Sequence, residues 1–372
     1  MHRVEVVIIG TGIAGASLAY FLAERGVSEV VLLEREEAPG SHATGRSAAV
    51  LCQLDPNSTV QRLIVASAPF LRRPPAGFSE SPILTPSGVL LVFREPIWSA
   101  LAHITPWLES EGIRLELLSP TQAVERVEVL NPEEFTGAVL LSADGRLDVH
   151  ELLSSYLRHA RRRGAELRTG VQVTGVLVER GRCVGVATSR GEVRARWVVN
   201  AAGAWAGAIA RLAGAALIDV IPRRRCAVVY ATPEGLDVSG WPLVGSDTHK
   251  VYFEPEAGGL LMSPMDEEPS EPCDARPDDL AIAEGFERLA ALAPRLVPRS
   301  IKHKWAGLRM FAPDGVPLVG EDQLVPGFFW LAAQGGSGIE TSPTLGAVAA
   351  DLLLDSETDR FDASLLSPRR FA

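Results

Sequence analysis

The sequence predicts a mixed α/β fold in which a Rossmann-like domain, assembled from separate stretches of chain, carries an inserted mixed-sheet domain. Three segments carry that prediction. Residues 4–26, "VEVVIIGTGIAGASLAYFLAERG", read as strand, glycine turn and helix. Residues 196–206, "RWVVNAAGAWA", read as a second buried strand closing in a small-residue turn. Residues 327–354, "GFFWLAAQGGSGIETSPTLGAVAADLLL", read as an apolar strand, a glycine turn and a helix. Continuous apolar runs of this kind mark parallel strands covered on both faces. One sheet drawn from the start, middle and end of the chain leaves the intervening residues to build a second unit.

The first segment has the strongest local logic. Gly10, Gly12 and Gly15 form GxGxxG between a β-branched run, Val4 to Ile9, and a helix. Gly10 permits the tight turn, Gly12 lets the backbone approach a pyrophosphate, and Gly15 lets the helix lie close on the strand. Free N–H groups at the helix start suit phosphate oxygens. The next strand, "EVVLLERE", ends at Glu34, 19 residues past Gly15, where an acid meets a ribose 2′-hydroxyl. That acid disfavours a 2′-phosphate, so NADP is not expected. Then comes "ATGRSAAVLCQLD" at 43–55, small residues around Arg46. Such a stretch passes under the second half of a dinucleotide, with Arg46 either meeting pyrophosphate or packing at a domain edge. A sheet in three pieces plus this stretch fits FAD.

Composition narrows the function classes. A chain of 372 residues supports about two folded units. Hydrophobic residues at 47% against 22% charged describe a globular protein. A net charge of −10 argues against nucleic acid as a partner, since phosphate contacts need a basic face. The one basic run, "RHARRRG" at 158–164, reads as the dipole-favoured end of a helix closed by Gly164. Cys52, Cys183, Cys226 and Cys273 form no CxxC and no ligand-like cluster with histidine, which predicts a reducing compartment and no structural metal. The apolar N-terminus is interrupted by Glu5, and no other run has the length of a membrane helix. The expectation is a cytoplasmic protein without stable membrane insertion.

The motifs "GTGIAGAS", "LEREEAPGSHATGRSAA", "PPAGF", "VNAAGAW", "HKWAGLRMFAPDG", "FFWLAAQGGSGI" and "LLSPRR" occur in an order that resembles the D-amino acid oxidase superfamily of FAD-dependent oxidoreductases, nearest within it to the D-arginine dehydrogenases. The likeness runs over nearly the whole chain. It implies an FAD domain and a substrate domain whose mixed sheet covers the flavin's reactive face. It implies Glu34 at the adenosine ribose, Arg46, Ser47 and Ala48 along the flavin, and a backbone contact from Val173 to adenine. Ala202, Gly203 and Trp205 would line the cofactor path, with Ile13, Ala14, Arg35, Thr44 and Gly307 completing the contacts. No cysteine stands where covalent attachment is expected, so FAD would be non-covalent. The turn Gln334, Gly335, Gly336, Ser337, Gly338 and Ile339 opens the last helix, and its N-terminus would stabilise negative charge on the reduced ring.

On the substrate side, an arginine fork is the natural grip for a carboxylate. The likeness implies Arg224 in "IPRRRCAVV", Arg309 in "WAGLRMF" and Tyr252 in "KVYFEPEAG", with Gly336 counted beside them in the catalytic set. Strand alternation puts only every second residue on one face, so Arg223 or Arg225 remain alternatives to Arg224. The pocket loop departs from the D-arginine pattern: Val50, Cys52 and Asp55 replace His, Thr and Tyr, Gly88 stands in the place of a Glu, and Glu340 replaces a Gln. Either Asp55 or Glu340 receives a cationic side chain from a new direction, or the pocket takes another amine. The structural alternatives are a turn at Asp55 before Pro56 and a dipole-favoured first-turn acid at Glu340.

The expected division is 1–75, 146–215 and 305–372 for the FAD domain, and 76–145 and 216–304 for the substrate domain. The acidic, proline-bearing stretch "PMDEEPSEPCDARPDD" at 264–279 reads as an exposed loop ahead of a helix. The expected activity is oxidative deamination of a D-amino acid by hydride transfer from Cα to flavin N5, giving an imino acid that hydrolyses, with quinone or oxygen as electron acceptor. The alternatives are an oxidase of glycine, sarcosine or another secondary amine, and a non-catalytic FAD-binding subunit of an amine dehydrogenase complex.

Overall fold

The computed structural model describes residues 3–372 apart from 357 and 359. The strand Arg3–Ile9 lies at the centre of an eight-stranded sheet. Parallel neighbours flank it: Val30–Leu33 on one side and Gly191–Asn200 on the other. Phe328–Ala332 pairs in parallel with the far edge of Gly191–Asn200, so the three predicted segments do converge in one sheet. Val6, Val7, Ile8 and Val198 are essentially inaccessible to water, as strands sandwiched between helices require. On one face lie Ile13–Glu24, Val149–Arg162 and the last helix, Gly338–Leu353, which is buried on nearly every side. Tyr20, Phe70, Phe78 and Tyr156 fill the space between helices there with edge-to-face and stacked rings. The Arg161–Arg163 run does end a helix, with Gly164 in the left-handed region at φ 105.

The second sheet also has eight strands. Its long edge strand, Ile301–Phe311, runs antiparallel to Ile221–Tyr230, and then come Gly259–Ser263, Val251–Glu256, Leu243–Ser246, Val89–Phe93, Gly137–Leu141 and Glu116–Leu118. Its one parallel pair, Leu243–Ser246 with Val89–Phe93, makes it mixed. The expected boundary at residue 305 falls inside the strand Ile301–Phe311, which is paired with the second sheet from end to end. The far end of that strand touches the first domain: the Gly335 amide donates to the Met310 carbonyl at 2.8 Å, and Phe311 bridges Gln334. A three-stranded sheet of Val50–Leu51, Gly145–Leu147 and Leu84–Thr85 fixes the loop after the second-domain entry.

The stretch 264–279 is only partly the exposed loop expected. Pro264 and Ala275 are buried, and the Asp266 carboxylate accepts from the Cys226 amide at 2.7 Å. The loop thereby wraps the strand that carries the three successive arginines.

Candidate active site

The glycine turn is built as its spacing demands. Gly10 has φ 101, and a side chain there would meet the Ala201 carbonyl oxygen at 2.4 Å. A side chain on Gly15 would sit 2.1 Å from the Gly10 carbonyl oxygen. The Thr44 hydroxyl accepts from the Ile13 amide at 3.0 Å, which ties the 43–55 stretch to the helix N-terminus. Glu34 is preset by the Thr11 hydroxyl (2.8 Å), the Thr11 amide (3.1 Å) and the Glu36 amide (3.0 Å). The Arg35 guanidinium lies 3.7 Å from the Trp205 ring centre, a cation–π lid at the cleft's outer end.

Three cavities follow one another from this turn into the second domain. The first, about 270 Å³, is lined by Gly10, Gly12, Glu34, Arg35, Thr44 and Arg46, and from the far side by Val173, Ala202, Gly203, Trp205 and Gly307. The next, about 120 Å³, shares Gly12, Thr44, Arg46, Gly203 and Gly307 with it and adds Ile13, Ala14, Ser47, Ala48, Gly335, Gly336, Gly338 and Ile339. Gly15 lines neither, because it is the packing glycine beneath the turn. The third, about 1280 Å³, takes in Ser47, Ala48, Ser337 and Glu340 and opens between the domains.

The chain of cavities has the extended form an FAD needs, and two features of its walls fit that group. The Gln334 side-chain Nε2 is buried without a partner. The last helix begins at Gly338 with no side-chain cap from Ser337, so its first N–H groups are unspent by capping. Both are donors waiting at the glycine turn, where a flavin carbonyl edge would accept them. Gly10, Gly12, Thr44, Gly335 and Gly336 would hold the group, which supplies a two-electron acceptor when bound.

Arg46 lines two of these cavities with its guanidinium engaged by the protein. Its guanidinium donates to the Ala275 and Ala306 carbonyls at 3.1 Å each and pairs with Asp274, while its own carbonyl accepts from the Trp305 indole at 2.9 Å. Of the two readings of this residue, the domain-edge staple is the one the geometry supports.

The arginines sort by register. Arg223 stands opposite Arg309 and Arg225 opposite Gly307, so Arg223, Arg225 and Arg309 share one face of the sheet and Arg224 points to the other. Arg224 is held by Asp278 at 2.7 Å. Arg225 is buried, donates to the Asp266 carbonyl at 2.8 Å and pairs with Glu267 at 2.5 Å. Burial first, and then the Arg309 charge, pull the Arg225 guanidinium down to about 10, still cationic at neutral pH. Arg225 thus shares the face of Arg309, one cross-strand pair along from Arg223, while the expected Arg224 lines the large cavity from the other face. Tyr252 lines the same cavity and interacts with Arg225. A side chain on Gly336 would come within 2.8 Å of Arg309 Nη1, so only a bare backbone lets the guanidinium lie there.

The opposite wall carries Val50, Cys52, Asp55 and Glu340. The Glu340 carboxylate accepts from the Cys52 amide at 2.9 Å. Burial, then the nearby Asp55 charge, raise it to about 8. Asp55 also forms the turn expected of it, accepting from the Asn57 amide at 2.8 Å, and burial raises its carboxyl too. Burial pushes the Cys52 thiol up, which leaves it an unreactive wall residue. Gly88 does not reach the cavity; its α-carbon faces Pro242, and Val89, Leu91 and Phe93 line the wall instead. Behind the wall lies a pair that sequence reasoning missed. Buried Asp144 accepts from the Gln53 amide and from Arg72, at 2.8 and 2.7 Å. Nothing in the local sequence around residue 144 signals it, because its partners come from two other segments. Among the described residues no group of three His, Cys, Asp or Glu side chains is arranged to hold a metal, and no helix is long and apolar enough to cross a membrane.

Known proteins agree with this architecture. Human mitochondrial sarcosine dehydrogenase is 28% identical over 87% of this chain and 37% of its own length. Rat mitochondrial dimethylglycine dehydrogenase is 27% identical over 99% of this chain and 45% of its own. The chain thus spans less than half the length of these curated relatives. The crystal structure of L-proline dehydrogenase from P. horikoshii superposes with a TM-score of 0.88 at 25% identity, covering 100% of this chain and 98% of that one. Residues 5–352 match the family described as DAO, FAD dependent oxidoreductase, and the chain belongs to that family.

Proposed function

We propose that this protein oxidises the carbon–nitrogen bond of an α-amino acid, with FAD bound non-covalently along the three cavities. The observation that carries the reading is the pairing of Arg225 and Arg309 on one sheet face, beside Tyr252 and against the Gly336 turn. Arg309, whose guanidinium is not paired with a protein side chain among the described residues, offers a fork for a carboxylate, and Arg225 adds its charge beside it. The substrate carboxylate is held there, which orients its Cα towards the flavin and converts an encounter into a fixed approach. For a D-amino acid, the class the motifs suggest, hydride loss from Cα to flavin N5 gives an imino acid, which hydrolyses to a 2-oxo acid and ammonia.

A second reading is oxidation of an N-substituted amino acid. The names of the relatives favour it: sarcosine, dimethylglycine and L-proline all carry substituted nitrogen. A non-catalytic FAD subunit accounts poorly for a buried guanidinium pair facing the cofactor turn. The test is anaerobic. FAD-loaded protein is mixed with D-amino acids, L-amino acids and N-methyl amino acids while the visible flavin band is followed. Bleaching by one class names the substrate, and admitting air separates an oxidase from a dehydrogenase that passes electrons to quinone. A loaded protein that no member bleaches would sink the amino acid reading.

A further inference from the structure

We propose, resting on the reading above, that Glu340 takes the proton from the substrate's ammonium group before the carbon–nitrogen bond is oxidised. The placement comes first. Gly336 lies against Arg309, and Glu340 follows four residues later in the first turn of the last helix. The clamp and the acid thus flank one short turn and line the same cavity. In an α-amino acid the carboxylate and the amine sit on the same carbon. A molecule gripped at Arg309 therefore presents its nitrogen at short range to this wall.

Most of the other charged groups of the cavity are engaged, and Glu268 and Glu284, which also line it, lie exposed. Lys250 is bound to Asp247 at 2.5 Å and lies exposed. Asp278 holds Arg224, and Glu267 holds Arg225. Asp266 accepts from the Cys226 amide through one oxygen, and its other oxygen lies 3.8 Å from Arg224 Nε. Asp55 caps its own turn through the Asn57 amide. Glu340 is a buried acid of this cavity that no cation pairs with among the described residues, oriented by the Cys52 amide. The groups that surround it come from three elements. Cys52 and Asp55 lie on the pocket loop, Asp144 in the turn behind it, and Ser337 at the helix start, with Arg72 paired to Asp144 beyond.

The chemistry needs a strong base. An ordinary carboxylate, at about 4.3, is decades too weak a base to take a proton readily from an α-ammonium. Burial brings Glu340 to about 8, which leaves only a fraction of that gap. In the step, an N–H bond of the ammonium breaks, the proton forms an O–H bond on Glu340, and the lone pair stays on nitrogen. That lone pair is what a C=N bond requires.

The experiment follows flavin bleaching of FAD-loaded protein between about pH 6 and 10 with an amino acid that reduces the wild type. The wild-type rate should rise with pH around about 8, since Glu340 accepts only when ionised. E340Q keeps the acceptor for the Cys52 amide. It should be about a hundredfold slower at pH near 8 and shift its pH limb up to that of the free ammonium. D55N removes a negative neighbour and should move the wild-type limb to lower pH. An infrared titration of the resting protein should show a protonated-carboxyl band that fades as pH rises through about 8 and is missing in E340Q. A wild type that bleaches while E340Q keeps the same limb, or a band equal in both proteins, overturns the proposal alone. A wild type that no amino acid bleaches overturns the functional reading and the proposal with it.

Discussion

Replacing Arg225 with Met tests how the arginine-bearing strand is registered. The Arg225 guanidinium is buried on the face it shares with Arg309. A charge-assisted hydrogen bond contributes about 1.5–3 kcal/mol, and a fork makes two of them to a carboxylate. Two facts reduce the loss. Arg309 remains, and removing Arg225 relieves the repulsion between the two cations. The expected cost is about 2–3 kcal/mol, a weakening of about 30- to 150-fold in Kd. R224M removes a partly exposed pair with Asp278 on the other face, and should change the same constant by about threefold or less. The assay titrates FAD-loaded protein with a carboxylate that has no amine and follows the visible spectrum. It has a pH arm as well. Binding needs the charged guanidinium, so wild-type affinity holds below about 10 and falls as pH rises through it, and R225M lacks that component. Equal losses in R224M and R225M would refute the register argument, as would unchanged binding in R225M.

Three further outcomes follow from the same geometry. G15A places a side chain 2.1 Å from the Gly10 carbonyl and should yield protein with little or no FAD, read from the ratio of flavin to protein absorbance; full FAD occupancy would contradict the turn's packing. R72M leaves Asp144 buried without its cation and should cost about 1–3 kcal/mol, discounted because Arg72 is itself about a third exposed. Burial already raises the Asp144 carboxyl, so that cost is full at neutral pH and fades as pH falls and Asp144 is protonated, which urea midpoints at two pH values will show. Glu254 is 3% exposed, has an unpartnered Oε2 and is raised by burial to about 7. Its folded pKa lies above its unfolded value, so ionisation costs stability as pH rises towards 7. E254Q should therefore gain on the order of 1–3 kcal/mol near pH 8 and nothing near pH 4; a gain equal at both pH values would contradict this.

Local chemistry made the nucleotide half of the molecule legible. Gly10, Gly12, Gly15 and Glu34 act through turn geometry and short spacing, so their roles follow from neighbours a few residues away. The runs at 4–9, 196–200 and 327–332 could be assigned to one sheet because strands covered on both faces read as near-continuous apolar stretches. Arg46 shows the limit. Its stretch signalled a close passage, but its partners, Ala275 and Ala306, lie more than two hundred residues away.

The amino acid sequence by itself determined the glycine turn, the acid at the second strand's end, the discontinuous sheet and the cluster of three successive arginines. Only the tertiary structure decided which arginine shares a sheet face with Arg309, Arg224 and Arg225 both lining the cavity. Alternation assigns parity along Ile221–Tyr230, but the face is set by pairing with Ile301–Phe311, some eighty residues on. It also decided the character of Glu340. A helix-start acid is ordinarily solvated and ionised; here the folded loop from Val50 to Asp55 covers it, removes water from its charge, and leaves a carboxyl ready to hold a proton at neutral pH.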